Sequence, residues 1–526
     1  MNSTHREAMS GGRGSTRRTI LKGGLLGAGL LGASTAKAKS PPRVGGFEGI
    51  RQAGVDAFLG IRYATARRFE RAVPLPFPAE PTPAKNFGPI CPQRADTGER
   101  QSEDCLFLNV WTPDANPAAR RPVMVYFHGG AYNGGTVTDP VTRGQHLAGQ
   151  GDVVVVTVNQ RLNVFGYPWL APFGPQFADS GNLGQLDLIC ALQWVRDHVA
   201  KFGGDPARVM VFGQSGGGAK IATLMAMPAA KGLFHSAATM SGQQVTASGP
   251  TNALKRITAL FEYLSLPTGD VDALKSLSTE RLVEGLSATD PVLGGSLYFG
   301  PVLDMVNLPR HPFWPDAAPQ SLAIPMILGN TTDETRAFIG TDSPYVQGLD
   351  WSNIAERVRP NIRIDLRPDY VVAQYRRHFP DWSAQEVFYA ATTDGRSWPG
   401  QLIEADERAK AGAERTWVYQ LDRPSPIDPD RGAAHTDDLP YVFGTLDAKG
   451  SYSGTGKRAR AISAAMMRAF TGLARDGTPG LADWAAYDLP RRATLMVGED
   501  AIAMVDDPRQ WQREMWSSAP YIQPGI

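Results

Sequence analysis

The chain has 526 residues, 42% of them hydrophobic, enough to bury one large core or two smaller ones. Its 53 basic residues nearly balance 52 acidic ones, so no nucleic-acid partner is expected, because such a protein carries a basic footprint. Only three cysteines occur, with no CxxC and no HExxH, so neither a zinc site nor any other cofactor is implied.

The first segment reads as a signal. Thr16-Arg17-Arg18-Thr19-Ile20-Leu21-Lys22 precedes an apolar Gly/Ala/Leu run from Gly23 to Ala33 and a small-residue Ala36-Lys37-Ala38 site, which together resemble a twin-arginine export signal. The run is about half of the roughly 20 residues a spanning helix needs, so cleavage is expected over residues 1–38, leaving a body of 39–526. Gly24, Gly27 and Gly29 belong to this segment and form no nucleotide loop. Its removal takes away six basic groups and one acidic group, leaving 47 basic against 51 acidic residues. No later stretch is apolar enough to span a membrane, so no stable anchor is expected and the protein is expected to be periplasmic or secreted.

In the body, Phe58 to Tyr63 reads as a strand and Pro74 to Pro83 as a surface connection. Short β-branched or aromatic runs follow at Val110-Trp111, Val123 to Phe127, Val153 to Val158 and Val209 to Phe212, separated by helical patterns such as Gln185 to Phe202. Strands alternating with helices imply a mostly parallel sheet covered on both faces, extended by Ile324 to Leu328 and Trp417 to Leu421. Helical stretches over Asn252 to Leu286 and Trp351 to Lys410 read as insertions above one end of the sheet, where they would wall a pocket. Tyr132, Phe299, Trp314 and Trp398 are candidate aromatic walls. The expected class is α/β in a single domain.

The chemistry begins at Gly213-Gln214-Ser215-Gly216-Gly217, a GxSxG between the strand Val209 to Phe212 and a helix-forming run from Lys220 to Met227. A sharp strand-to-helix turn aims one serine and points new helix amides at developing negative charge. A serine hydroxyl needs a base, and the base needs an acid to hold its tautomer. In α/β-hydrolases the chain order is serine, acid, histidine, and only His235, His311, His378 and His435 follow Ser215. His435, in a loop shortly after the Trp417 to Leu421 strand, is the best base. Asp333 and Glu334, in the turn after Ile324 to Leu328, compete for the acid, and position alone does not separate them. His128-Gly129-Gly130-Ala131 follows its strand as an HGGG-type oxyanion loop would, with Gly216 as the second source of amides. Cys91 and Cys105, 14 positions apart in a polar stretch, could pair after export, whereas Cys190 sits in a buried helical pattern.

Taken together, these motifs resemble the type-B carboxylesterases, the family of para-nitrobenzyl esterases and cholinesterases. The likeness runs from about Phe58 to Trp516 and includes Ser102-Glu103-Asp104-Cys105-Leu106-Phe107-Leu108-Asn109-Val110, Phe202-Gly203-Gly204-Asp205-Pro206 and Phe299-Gly300-Pro301-Val302-Leu303-Asp304. The resemblance implies Ser215 as nucleophile, Glu334 as the acid, His435 as the base, oxyanion amides from Gly130, Ala131 and Gly216, and a Cys91–Cys105 disulfide. It implies an α/β-hydrolase fold and a serine carboxylic-ester hydrolase acting on a small-molecule ester. The same triad would serve an amidase, carbamate hydrolase or lactonase, and some relatives are non-catalytic binding proteins.

Departures narrow the substrate. The family's usual Glu is Gln214 here, its usual Ala is Gly216, and residues 92–104, where cholinesterases carry a choline-binding tryptophan, hold no aromatic side chain. Without a ring to meet a quaternary ammonium, an uncharged or non-cationic ester is expected.

Overall fold

The computed structural model describes residues 40–522; the expected export signal at 1–38 lies outside the described residues. The central sheet contains β1 (Ile50–Gln52), β2 (Val55–Arg62), β3 (Phe107–Thr112), β4 (Arg121–Phe127), β5 (Val154–Val158), β6 (Gly204–Gln214), β7 (Ser236–Met240), β8 (Met326–Thr331), β9 (Thr416–Leu421), β10 (Ala493–Val497) and β11 (Ile502–Asp506). Their spatial order is β11, β10, β9, β8, β7, β6, β4, β5, β3, β2, β1. From β5 across to β10 every pairing is parallel. The remaining pairings, at the two edges, are antiparallel, so the sheet is mixed around a parallel centre.

Alternation along β4 explains why this sheet is covered twice. Val123, Val125 and Phe127 join one apolar cluster while Met124 and Tyr126 join another, as the period of two requires. The first cluster takes in Leu188, Ile189 and Leu192 of α1 (Leu183–His198), together with Ile221 of α2 (Gly216–Leu224) and Ile257 of α3 (Pro250–Tyr263). A third cluster forms around Val387 and Phe388 of α4 (Ala384–Arg396) and Trp398 of α5 (Trp398–Lys410), with Tyr375 and Trp516. The opposite face of the sheet is closed by Ile462, Met466 and Phe470 of α6 (Lys457–Asp476). The helical insertion around α4 and α5 thus carries a core of its own.

Several elements differ from the sequence expectation. The β7 strand escapes notice because Ser236-Ala237-Ala238-Thr239-Met240 is small and weakly β-forming; burial on both faces decides it. Two strands the sequence reading did not name, β10 and β11, lie beyond Trp417–Leu421. The stretch 252–286 breaks into α3 and two short helices, Val271–Ser276 and Thr279–Gly285, each started by a capping Asp270 or Ser278 side chain. The expected Cys91–Cys105 disulfide is not formed. Both are free, buried thiols, and Cys105 is pushed up first by a hydrogen bond with Cys91 and then by burial.

Candidate functional site

Every strand end that matters opens on the same cavity, as the carboxyl ends of parallel strands in open α/β sheets do. Ser215 occupies the turn between β6 and α2 at φ 55° and ψ −125°, a conformation that costs a non-glycine residue about 1–3 kcal/mol. Two interactions hold it there: its N–H donates to Met240 O at 2.7 Å, and its carbonyl accepts from Ala219 N at 3.1 Å. The flanking glycines allow the close approach. A Cβ on Gly217 would lie 1.9 Å from Phe127 O, and one on Gly216 would lie 2.1 Å from Ala131 O.

His435 and Glu334 converge on this turn from the segments after β9 and β8. The His435 Nδ1–H donates to Glu334 Oε2, while Glu334 Oε1 accepts from Thr331 N at 3.0 Å. Burial pushes the Glu334 carboxyl up, but the charge and N–H of His435, the adjacent Ser241 hydroxyl and the Thr331 N–H together hold it below its ordinary value. Ser241 lies beside the carboxylate without a hydrogen bond of full geometry. With Nδ1 engaged as donor, Nε2 carries the lone pair, and the Gln214 side chain donates to it at 3.0 Å. The Ser215 hydroxyl opens onto the cavity beside His435.

Asp333, the rival acid, turns elsewhere. It accepts from Arg336 Nε at 3.2 Å and from Ala433 N at 3.1 Å, clamping the segment that carries His435. The other histidines after Ser215 have local partners. His235 Nδ1 accepts from Val209 N, His311 Nδ1 accepts from Ala247 N, and the His378 ring stacks on Trp511 at 4.0 Å.

The loop after β4 presents Gly130 at φ 86° and Ala131 at φ 52°. Among the described residues, the N–H groups of Gly130, Ala131 and Gly216 have no protein acceptor, and Ala131 and Gly216 line the cavity. The sequence reading missed what fixes this loop. Lys220, fully buried on α2, donates to His128 O at 2.9 Å and to Ala131 O at 3.0 Å. Burial pulls its ammonium down to about 7. His128 is driven lower, to about 3, by burial and by Lys220, so its ring is neutral and bonds Gly129 O at 2.8 Å. A lysine inside an otherwise apolar helical run was the signal.

The cavity has a volume of about 170 Å³, and Ser215, His435, Ala131 and Gly216 lie on its wall. Of the four expected aromatic walls only Tyr132 lines it; Tyr298 and Phe338 supply the others. Phe299 is buried next to Tyr298, Trp398 belongs to the core of the insertion, and Trp314 is 57% exposed beside a different cavity. The Tyr132 hydroxyl bonds Gln244 Oε1 at 3.1 Å, and Gln244 N donates to the buried Glu404 at 2.6 Å. Burial pushes Glu404 up to about 8. Arg396 and Ser397, at the junction of α4 and α5, complete the wall.

This fold, with a strained serine at a strand-to-helix turn and a His–Glu pair after neighbouring strands, defines an α/β-hydrolase architecture. The sequence profile of the carboxylesterase family matches residues 38–516. The para-nitrobenzyl esterase of Bacillus subtilis (strain 168) is 33% identical over 89% of this chain and 96% of its own. Phenmedipham hydrolase of Pseudarthrobacter oxydans is 30% identical over 88% and 95%. Among solved structures, a carboxylesterase of Geobacillus stearothermophilus superposes with a TM-score of 0.77 at 32% identity, covering 91% of this chain and 99% of that one. The chain belongs to the carboxylesterase family and is a carboxylic-ester hydrolase of the α/β-hydrolase fold.

Proposed function

We propose that the chain hydrolyses non-cationic small-molecule esters through an acyl-enzyme on Ser215. The observation that carries this is the His435 ring, tied through Nδ1–H to Glu334, with an Nε2 that accepts from Gln214 and a place on the same cavity wall as Ser215. Ser215 Oγ attacks the ester carbonyl as its proton passes to Nε2, displacing the Gln214 donor. The carbonyl oxygen becomes an oxyanion held by the N–H groups of Gly130, Ala131 and Gly216. Collapse breaks the ester bond, and the departing alkoxide takes the proton back from Nε2. Water then attacks the acyl group with His435 again as base, releasing the acid and Ser215. Glu334 stabilises the imidazolium in both halves without taking its proton.

The test compares wild type with Ser215→Ala on p-nitrophenyl esters of short, long and bulky acids and on matched anilides. Ester turnover that is lost with the hydroxyl supports the reading. Equal rates for the two proteins overturn it, and preferred anilide turnover converts it to an amidase. Export belongs to the same proposal: the full chain should reach the periplasm or medium, and replacing Arg17 and Arg18 by lysine should retain it in the cytoplasm.

A further inference from the structure

We propose that Arg396 makes the Ser215 cavity a site for anionic esters, those whose acyl or alcohol portion carries a carboxylate on a short spacer. This deepens the esterase reading and rests on it. Arg396 is the last residue of α4, and Pro399 in the first turn of α5 fixes the junction, so its side chain is delivered to the cavity wall. The guanidinium lies 4.7 Å from the Phe338 ring centre, and that ring lies 4.7 Å from the His435 ring. A cation therefore stands one aromatic ring away from the base.

That cation has no counter-ion. Among the described residues Arg396 enters no ion pair, and its side chain donates to no acceptor. Glu334 acts on Arg396 by charge without an ion pair, and the carboxylates of the neighbouring elements have partners of their own. Glu334 serves His435, Asp333 serves Arg336, Asp394 takes Arg509 and the Tyr375 hydroxyl, Asp438 accepts from Tyr419, and Glu404 accepts from Gln244 N. A second arginine adds to the imbalance. Arg363 is tied to the end of α4 by its N–H, 2.7 Å from Gly395 O, and its Nε is buried without a partner. Burial and then the Arg363 charge draw the Arg396 guanidinium below its ordinary value.

Two half-buried arginines without counter-ions, close enough to repel one another, carry an electrostatic cost. A carboxylate removes that penalty on binding, and the planar guanidinium can take it through two parallel hydrogen bonds. The arrangement also rejects cationic esters by charge, beyond the missing ring at residues 92–104.

The experiment uses substrate pairs that differ only in charge. On the acyl side these are mono-p-nitrophenyl adipate and its methyl ester; on the alcohol side, 4-butyryloxybenzoate and its methyl ester. The readout is the ratio of kcat/KM for the anionic to the neutral member. Arg396→Gln should lower that ratio about tenfold or more in at least one pair, chiefly through KM, with Arg396→Lys recovering part of it. Arg363→Gln should lower it less, and unchanged near-UV circular dichroism should show that both variants fold. Should Arg396→Gln fail to fold, competitive inhibition of wild type decides: benzoate should bind about tenfold more tightly than benzamide, and equal inhibition overturns the inference. Unchanged ratios in both pairs, with Ser215-dependent turnover of the neutral esters intact, overturn this inference alone. Absence of Ser215-dependent turnover of every substrate overturns the esterase reading and this inference with it.

Discussion

The carboxyl ends of the parallel strands and the α4–α5 insertion face one cavity but supply it with different kinds of residue. From the sheet come Ser215, Glu334 and the free amides of Gly130, Ala131 and Gly216, set by turns close after their strands, and His435, carried on the longer segment that follows β9. From the insertion come Arg396 and Ser397, positioned by helices that pack around Val387, Phe388, Tyr375 and Trp516 in a separate core. Groups that must meet within hydrogen-bond distance sit on the rigid parallel core. Groups that choose the substrate sit on an insertion that can change without moving them.

The comparison breaks most sharply at the sheet end. Glu334→Gln keeps the volume but loses the charge that orients His435, and kcat should fall by about 10³–10⁴-fold with KM little changed. A loss below tenfold would show that Asp333 or another carboxylate takes over. Next comes Lys220→Met, which keeps the length of the buried side chain and removes both donors to the loop. Direct loss of an oxyanion donor costs about 10²–10³, so a residue acting through the loop carbonyls should cost about 10–100-fold in kcat. An unchanged kcat with an intact fold by near-UV circular dichroism would show that the loop holds itself.

Gln214→Glu sharpens the same region with a smaller effect. An anionic neighbour favours the imidazolium, so the acid limb of the kcat/KM profile should move to higher pH by about one unit. Superimposable profiles would show that the Gln214 contact to Nε2 carries no electrostatic weight.

The smallest effect belongs to Glu404, behind the cavity wall at Gln244. Glu404 titrates at about 8 in the folded chain against an ordinary 4.5. Between those values the folded protein holds a proton that the unfolded chain has released, so stability falls as pH rises from about 4.5 to 8. Urea unfolding at pH 5 and pH 8 should show a decline in wild type that is smaller in Glu404→Gln by about 1–3 kcal/mol. Parallel declines in the two proteins would remove Glu404 from the account.

What the sequence determined by itself is local and periodic. The elbow around Ser215 was legible because positions 216 and 217, where a side chain would collide, leave glycines in a fixed pattern beside a strand, and strands alternating with helical patterns announced a doubly covered sheet. His435 followed from chain order, while Glu334 needed the family resemblance because adjacent carboxylates look alike until one backbone turn points them apart. Only the tertiary structure sent Asp333 to Arg336 and Ala433, placed the lysine of α2 under the oxyanion loop, and made a strand of Ser236–Met240, whose residues show little preference for one. It also decided that Cys91 and Cys105 remain free and that Arg396 reaches the cavity without a counter-ion. Those outcomes depend on which distant groups share a desolvated space, and no spacing along the chain encodes that.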